Sequence, residues 1–341
     1  MGSLNFELGL GGREPLKATM RSAYRAPKSN SALKNSSNFS HKIIAVGHRG
    51  TKKFAPENTI SAHEAAISLG ARAIEFDVRF TKDGYAVVIH DATVNRTTDG
   101  RGWVKNMTLC EIKALDAGSW KGSKFAGEQI PTLREALRNI KERAIVDIDF
   151  KGGPASAGES LLNILDEEGF RDGPLVTIFA RSHHVKRLEP LAPHYALRPH
   201  FQSAAKTRHL TEKLGIKIMG LRRRSFNPTR AASITSHGLV LFTNIMGWAD
   251  GPRGIEDSIN AGARFIQTDN LDRLVPYLRA RGLLETRILN ADFSYRQSPE
   301  YIRPQNESGT DLTYKDVEQN TKPRAISSRH IEIPTETIDS R

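Results

Sequence analysis

Apolar runs rich in β-branched and aromatic residues recur along the chain at 43–47, 73–80, 85–90, 144–150, 175–180, 196–200, 217–221, 239–244 and 264–268. Between most of them the apolar positions fall every three or four residues, the spacing of a helix with one buried face. Such stretches lie at 60–68, 133–140, 159–168, 183–188, 204–214, 254–261 and 271–281. Strands alternating with helices imply a parallel sheet covered by helices. Roughly eight such units in about 240 residues match a (β/α)8 TIM barrel in size. An open doubly wound sheet is the competing arrangement. It usually begins with a G-x-G-x-x-G turn, and Gly47-His48-Arg49-Gly50 does not have that form.

The pattern offers nine strands for eight barrel positions, and Thr81-Lys82-Asp83-Gly84 accounts for the excess. Asp-Gly between two apolar runs signals a two-residue hairpin turn, so the chain is expected to double back there, near the catalytic face. That register sets Asp77 opposite His90 and Glu75 opposite Ala92. Neither end of the chain continues the pattern. Residues 1–41 read as a flexible, basic arm, 42–284 as the barrel domain, and 285–341 as an irregular tail rich in Ser, Thr, Asn, Pro and charges.

Composition narrows the partners. The 341 residues carry a net charge of +12, which suits anionic ligands. No tight basic run with interleaved aromatics is present, which argues against nucleic acid. No run of eighteen apolar residues suggests a membrane span, and the N-terminus lacks the apolar core of a secretory signal. Phe6 stands where a myristoylation motif wants Ser or Thr. A cytoplasmic location is the expectation, and a single cysteine, Cys110, fits it. Cys110 reads as a structural thiol on a helix, the pair His183-His184 as surface, and Trp103, Trp120 and Trp248 as packing residues.

Reactive side chains concentrate at the ends of the predicted strands. His48 follows the first apolar run, at the end where barrels carry their chemistry, and a histidine there can serve as acid or base near neutral pH. Arg49 adds a planar cation suited to phosphate oxygens. Glu75 and Asp77 share one face of an otherwise apolar strand, where two carboxylates are costly unless paired or bound to a metal. Oxygen ligands favour Mg2+ or Ca2+ over Zn2+. Asp147, Asp149 and Lys151 repeat the alternation on a second strand; Asp149 could complete the ion site and Lys151 could meet a phosphate. In Pro56-Glu57-Asn58-Thr59, Asn58 or Thr59 is a helix cap and Glu57 a buttress for the site.

The ordered set His48-Arg49-Gly50, Pro56-Glu57-Asn58-Thr59, Glu75-x-Asp77-Val78, Thr81-Lys82-Asp83-Gly84, His90-Asp91, Arg96-Thr97-Thr98, Ile130-Pro131-Thr132-Leu133, Asp149-x-Lys151 and Gly262–Asp269 resembles the glycerophosphodiester phosphodiesterase family over about residues 43–282. The resemblance implies a (β/α)8 barrel that splits a small-molecule phosphodiester into sn-glycerol 3-phosphate and an alcohol. It implies His48 and His90 as the acid–base pair, Glu75, Asp77 and Asp149 around one divalent ion (Mg2+ or Ca2+), and Arg49 and Lys151 on the phosphate. Two positions depart from the family's usual pattern. Asp149 stands where Glu is common, and Asp there resembles the related sphingomyelinase D branch; Phe242-Thr243 stands where Trp-Thr is usual, which makes Phe242 a candidate for the substrate pocket. A related lyase or transferase acting on sphingomyelinase-D-type or agrocinopine-type sugar diesters is the alternative. A non-catalytic barrel that binds phosphate ligands is a third reading.

Overall fold

A computed structural model describes residues 41–289, except 174, 181–183, 186, 187, 189, 191 and 193. The arm expected before residue 41, the tail beyond 289, and His183 with much of the helix expected at 183–188 lie outside the described residues.

Among the described residues nine strands form one sheet: β1 (Ile44–Gly47), β2 (Ala73–Phe80), β3 (Ala86–Val88), β4 (Ile145–Phe150), β5 (Val176–Phe179), β6 (Ala196–Leu197), β7 (Ile218–Arg222), β8 (Val240–Asn244) and β9 (Phe265–Thr268). Eight run parallel in the order β6-β5-β4-β2-β1-β9-β8-β7. A parallel bridge between His200 and Gly220 joins the two ends and closes the barrel. The helices cover the outside. The main apolar cluster, with Ile74, Phe76, Val146, Ile148, Leu133 and Leu137, packs between strands and helices. A smaller one fills the barrel's foot with Ile44, Val46, Ala73, Ile145, Ile218 and Phe265. Burial of both strand faces is why these runs read as continuously apolar.

β3 lies off the parallel ring and pairs antiparallel with β2, as the surplus strand requires, but its register is not the expected one. Val78 pairs with Val88 and Phe80 with Ala86, which sets Ile89, not His90, opposite Asp77. Three residues make the turn, not two: the Thr81 N–H donates to Tyr85 O (2.9 Å), and Gly84 takes the left-handed backbone (φ 86°) that closes such a loop. The Asp83 carboxylate accepts from the Thr81 hydroxyl at 2.6 Å and from the Leu109 N–H at 3.0 Å, which holds the tip.

Helix Pro228–Thr235 was not foreseen; it opens on an Asn227 cap with proline in the first turn. Residues 285–289 continue across the barrel's foot. The Glu285 N–H donates to Ile43 O at 2.8 Å and the Leu175 N–H to Leu289 O at 2.7 Å. Arg264 pairs with Glu285 at 3.0 Å. Trp103, Trp120 and Trp248 are exposed and do not pack in the core, and Cys110 is an exposed thiol. Among the described residues no helix is long and apolar enough to cross a membrane.

Candidate active site

Side chains that point into the barrel alternate along each strand, so the tiers above the apolar foot can be read directly. β2 contributes Glu75 and then Asp77; β4, in register beside it, contributes Asp147 and then Asp149. His48 and Asp269 follow the paired residues Gly47 and Thr268 at the ends of β1 and β9. These residues crowd the C-terminal mouth, where βα loops assemble barrel active sites.

The loop after β1 is folded to serve the carboxylates. Arg49 takes a left-handed backbone (φ 52°), and its N–H donates to Glu75 Oε2 at 2.9 Å. Gly50 (φ 75°) lies so close to helix Ile60–Ser68 that an added Cβ would stand 2.6 Å from the Ala62 backbone. Thr59 caps that helix, which frees Asn58 for another task. The Asn58 amide donates to Asp77 Oδ2 at 2.8 Å, and its Oδ1 accepts from the Asp77 N–H at 3.2 Å. Asn58 pays in backbone strain for this clamp, with φ at 61°.

Oxygens of Glu75, Asp77 and Asp149 lie within 4.8 Å of one another. Asp77 is the best compensated: Lys151 Nζ lies 2.7 Å away and Arg49 Nε 3.4 Å away. Burial alone would raise its pKa, but these two cations hold it below the ordinary carboxylate value. Lys151 also pairs with Asp149, whose pKa burial still raises. Burial opposes the charge on Lys151, yet Asp77 and Asp149 raise its pKa. Among the described residues no lysine or arginine side chain pairs with Glu75. Burial, reinforced by the charges of Asp77, Asp149 and Asp147, pushes its pKa well up. Three clustered carboxylates with one left uncompensated fit a divalent cation held by oxygen ligands. Asp147, in register beside Glu75, is excluded from that cluster. Buried Arg198 grips it through two nitrogens (2.7 and 3.0 Å), and the Thr177 hydroxyl donates to it at 2.6 Å.

Each candidate histidine turns Nδ1 onto a carboxylate. His48 Nδ1 lies 2.6 Å from Asp269 Oδ1, and His90 Nδ1 lies 2.6 Å from Asp91 Oδ1. Such pairing fixes the ring and leaves Nε2 for a reacting group. His48 is buried, with Nε2 4.0 Å from Glu75. Burial lowers its pKa, and the Asp269 hydrogen bond partly offsets this. Asp269 is held in turn by Lys52 at 2.9 Å, and its N–H donates to Asp250 Oδ2 at 2.6 Å. Burial would raise the Asp269 carboxyl, but His48 and Lys52 outweigh it and bring it to about 2. His90 is half-buried, beyond the end of the β2–β3 ladder, and its charge reaches Asp77.

Glu57 links the two arms. It accepts from Arg49 at 2.7 Å and from both terminal nitrogens of Arg96 at 2.7 and 3.0 Å. Arg96 also donates to Asp91 at 2.7 Å. A continuous ion chain therefore runs Arg49–Glu57–Arg96–Asp91–His90. The structure thus brings His48, Arg49, Glu57, Glu75, Asp77, Asp149 and Lys151 together, with His90 beside them. Phe242 is not brought to the mouth. It is 1% exposed, stacked on Phe265 at 5.4 Å and capped by Arg198 3.8 Å from its ring centre. Asn244 occupies the mouth end of β8 instead. His184 is half-buried and packs edge-on against Phe150 at 5.4 Å. Asp269, Asp91, Arg96 and Arg198 were not singled out as site residues, although Asp269 follows an apolar run just as His48 does.

Fold and mouth define the class: a (β/α)8 barrel with a largely buried acidic cluster and two histidine–aspartate pairs, a layout suited to acid–base chemistry on an anion. The glycerophosphoryl diester phosphodiesterase family model matches residues 48–238, and the chain belongs to that family of phosphoric diester hydrolases. It is similar to a glycerophosphodiester phosphodiesterase of Caldanaerobacter subterraneus, 37% identical over 249 residues, which cover 71% of this chain and 100% of the relative. A Bacillus subtilis glycerophosphodiester phosphodiesterase is 34% identical over 220 residues, 59% of this chain and 75% of the relative. The crystal structure of an Agrobacterium tumefaciens glycerophosphodiester phosphodiesterase superposes with a TM-score of 0.61 at 29% identity, covering 69% of this chain and 99% of that one.

Proposed function

We propose that the chain hydrolyses glycerophosphodiesters to sn-glycerol 3-phosphate and an alcohol, with His48 and His90 as its acid–base pair. Glu75, Asp77 and Asp149 would hold one divalent ion, Mg2+ or Ca2+. When bound, that ion supplies a positive charge that neutralises phosphoryl oxygens. Arg49 and Lys151 bind the phosphate, the first as a planar donor fork and the second as a point charge. One imidazole Nε2 takes the proton of the attacking oxygen and the other delivers a proton to the departing alcohol oxygen. Asp269 and Asp91 orient those rings, and Glu57 sets the position of Arg49 and Arg96.

The observation that carries this reading is the pair of carboxylate-anchored histidines beside the three-carboxylate cluster. Incubation with glycerophosphocholine and other glycerophosphodiesters in Mg2+ or Ca2+, followed by ³¹P NMR, tests it. The expected product is glycerol 3-phosphate, and His90→Ala is expected to lose at least about a hundredfold in kcat while staying folded. A cyclic phosphate or a sugar diester as the end product would move the assignment to a lyase or transferase. Near-normal turnover by His90→Ala would remove that residue from the chemistry.

A further inference from the structure

The phosphate machinery occupies one side of the mouth, on β1, β2 and β4. In the ring of eight parallel strands β7 stands diametrically across from β2, and it ends in Arg222. Side chains on β7 alternate, and the inward direction is fixed at two positions. Ile218 lies in the cluster that fills the barrel's foot. A Cβ at Gly220 would stand 2.6 Å from the His200 ring and 3.1 Å from Arg198. Two residues further on, Arg222 therefore projects from the same face at the level of the mouth. Its charge reaches His200, which packs on Phe179 with ring centres 4.4 Å apart. Arg222 is exposed, and among the described residues no carboxylate pairs with it. Its neighbour Arg223 is spent on Asp257 at 3.3 Å.

With the phosphate of a diester over β2 and β4, the β7 side of the mouth is where exposed Arg222 can meet its alcohol half. We propose that Arg222, with His200 and Phe179, reads that half, favouring a neutral polyol or an anionic alcohol and disfavouring a cationic amino alcohol. This rests on the hydrolase reading above. A unit charge about 7 Å from a cationic alcohol in a water-filled mouth changes binding by roughly threefold, and reversing it changes binding by roughly sevenfold. The test compares kcat/KM for glycerophosphoinositol and glycerophosphocholine in the wild type, Arg222→Gln and Arg222→Glu. The wild type should prefer the inositol diester. Arg222→Gln should reduce that preference about threefold and Arg222→Glu about sevenfold, mainly through KM for the choline diester. Lys213→Glu makes the same charge change on the last turn of helix Ala204–Leu214 and should leave the ratio as it is. A wild-type preference for the choline diester, a ratio that stays within twofold in Arg222→Glu, or an equal shift in Lys213→Glu would each overturn the inference. No turnover of either diester would overturn the hydrolase reading, and this inference with it.

Discussion

Replacing Asp269 by Asn keeps the size of the side chain and removes its charge, so it isolates what the carboxylate does for His48. The two groups meet at 2.6 Å with Asp269 only 14% exposed. Interactions with His48 and Lys52 bring the carboxyl from 3.8 to about 2 despite burial. That lowering corresponds to roughly 2 kcal/mol of preference for the charged carboxylate, shared between His48 and Lys52. The part felt when His48 carries a proton in the transition state sets the cost of Asp269→Asn, which should lower kcat by roughly tenfold to thirtyfold. The pH profile should move as well. Asp269 raises the pKa of His48 against the effect of burial, so its loss shifts the limb controlled by His48 to lower pH. Steady-state hydrolysis of a glycerophosphodiester between pH 5 and 9, with near-UV circular dichroism as a check on folding, measures both effects. Lys52→Gln is the control, because Lys52 touches the same carboxylate from an exposed position, and it should cost less than about threefold. A fall of under threefold in Asp269→Asn, or an equal fall in Lys52→Gln, would refute the positioning role.

Glu75→Gln removes a carboxyl group whose charged form burial and its carboxylate neighbours disfavour. The ion-free protein should gain roughly 1–3 kcal/mol at pH 7, while the rise in Tm on adding Mg2+ or Ca2+ and the turnover both disappear; an undiminished rise in Tm would take Glu75 out of the ion site. His63 is fully buried against Phe76, and burial lowers its pKa from 6.5 to about 4. Above pH 6.5 it is neutral in both the folded and unfolded states, and its protonation contributes nothing to stability. As pH falls from 6.5 to 4 only the unfolded chain takes up the proton, and stability falls by about 3 kcal/mol. Urea unfolding at pH 7 and pH 4.5 should show a smaller difference in His63→Leu than in wild type, and equal differences would exclude His63 as the source.

The barrel was legible because its strands are buried on both faces and stand out as apolar runs, and because reactive residues such as His48, Glu75 and Asp77 interrupt or end those runs. What failed depended on single-residue detail. The hairpin register turned on whether Thr81 closes a loop of two residues or three, which its hydroxyl and the left-handed Gly84 decide. Helix Pro228–Thr235 buries only Ala231 and Ile234; its apolar stripe is too thin to show, and the Asn227-Pro228 start was the signal to use. Asp91 and Asp269 were visible as acids but not as partners, since β1–β9 adjacency and ring orientation exist only in the folded barrel. Phe242 was assigned to the pocket by likeness. Counting inward positions back from Asn244 puts it one tier lower, under Arg198.

The same two cations carry both halves of the proposed binding. Lys151 and Arg49 are the groups that keep Asp77 charged inside the barrel, and they are also the groups assigned to the phosphate. They cannot fully serve both at once: a cation that turns to a phosphoryl oxygen leaves a buried carboxylate short of compensation, which is unfavourable in a site this enclosed. A divalent ion among Glu75, Asp77 and Asp149 would relieve that conflict by replacing the positive charge those carboxylates lose. Ion and diester should therefore strengthen each other's binding, each by the same factor. On this view the short Asp149 side chain has a consequence. Paired with Lys151, which directly follows the end of β4, it keeps the ammonium close to the carboxylates, so the exchange of Lys151 from carboxylate to phosphate is a small movement at the strand's end and needs no rearrangement of the barrel.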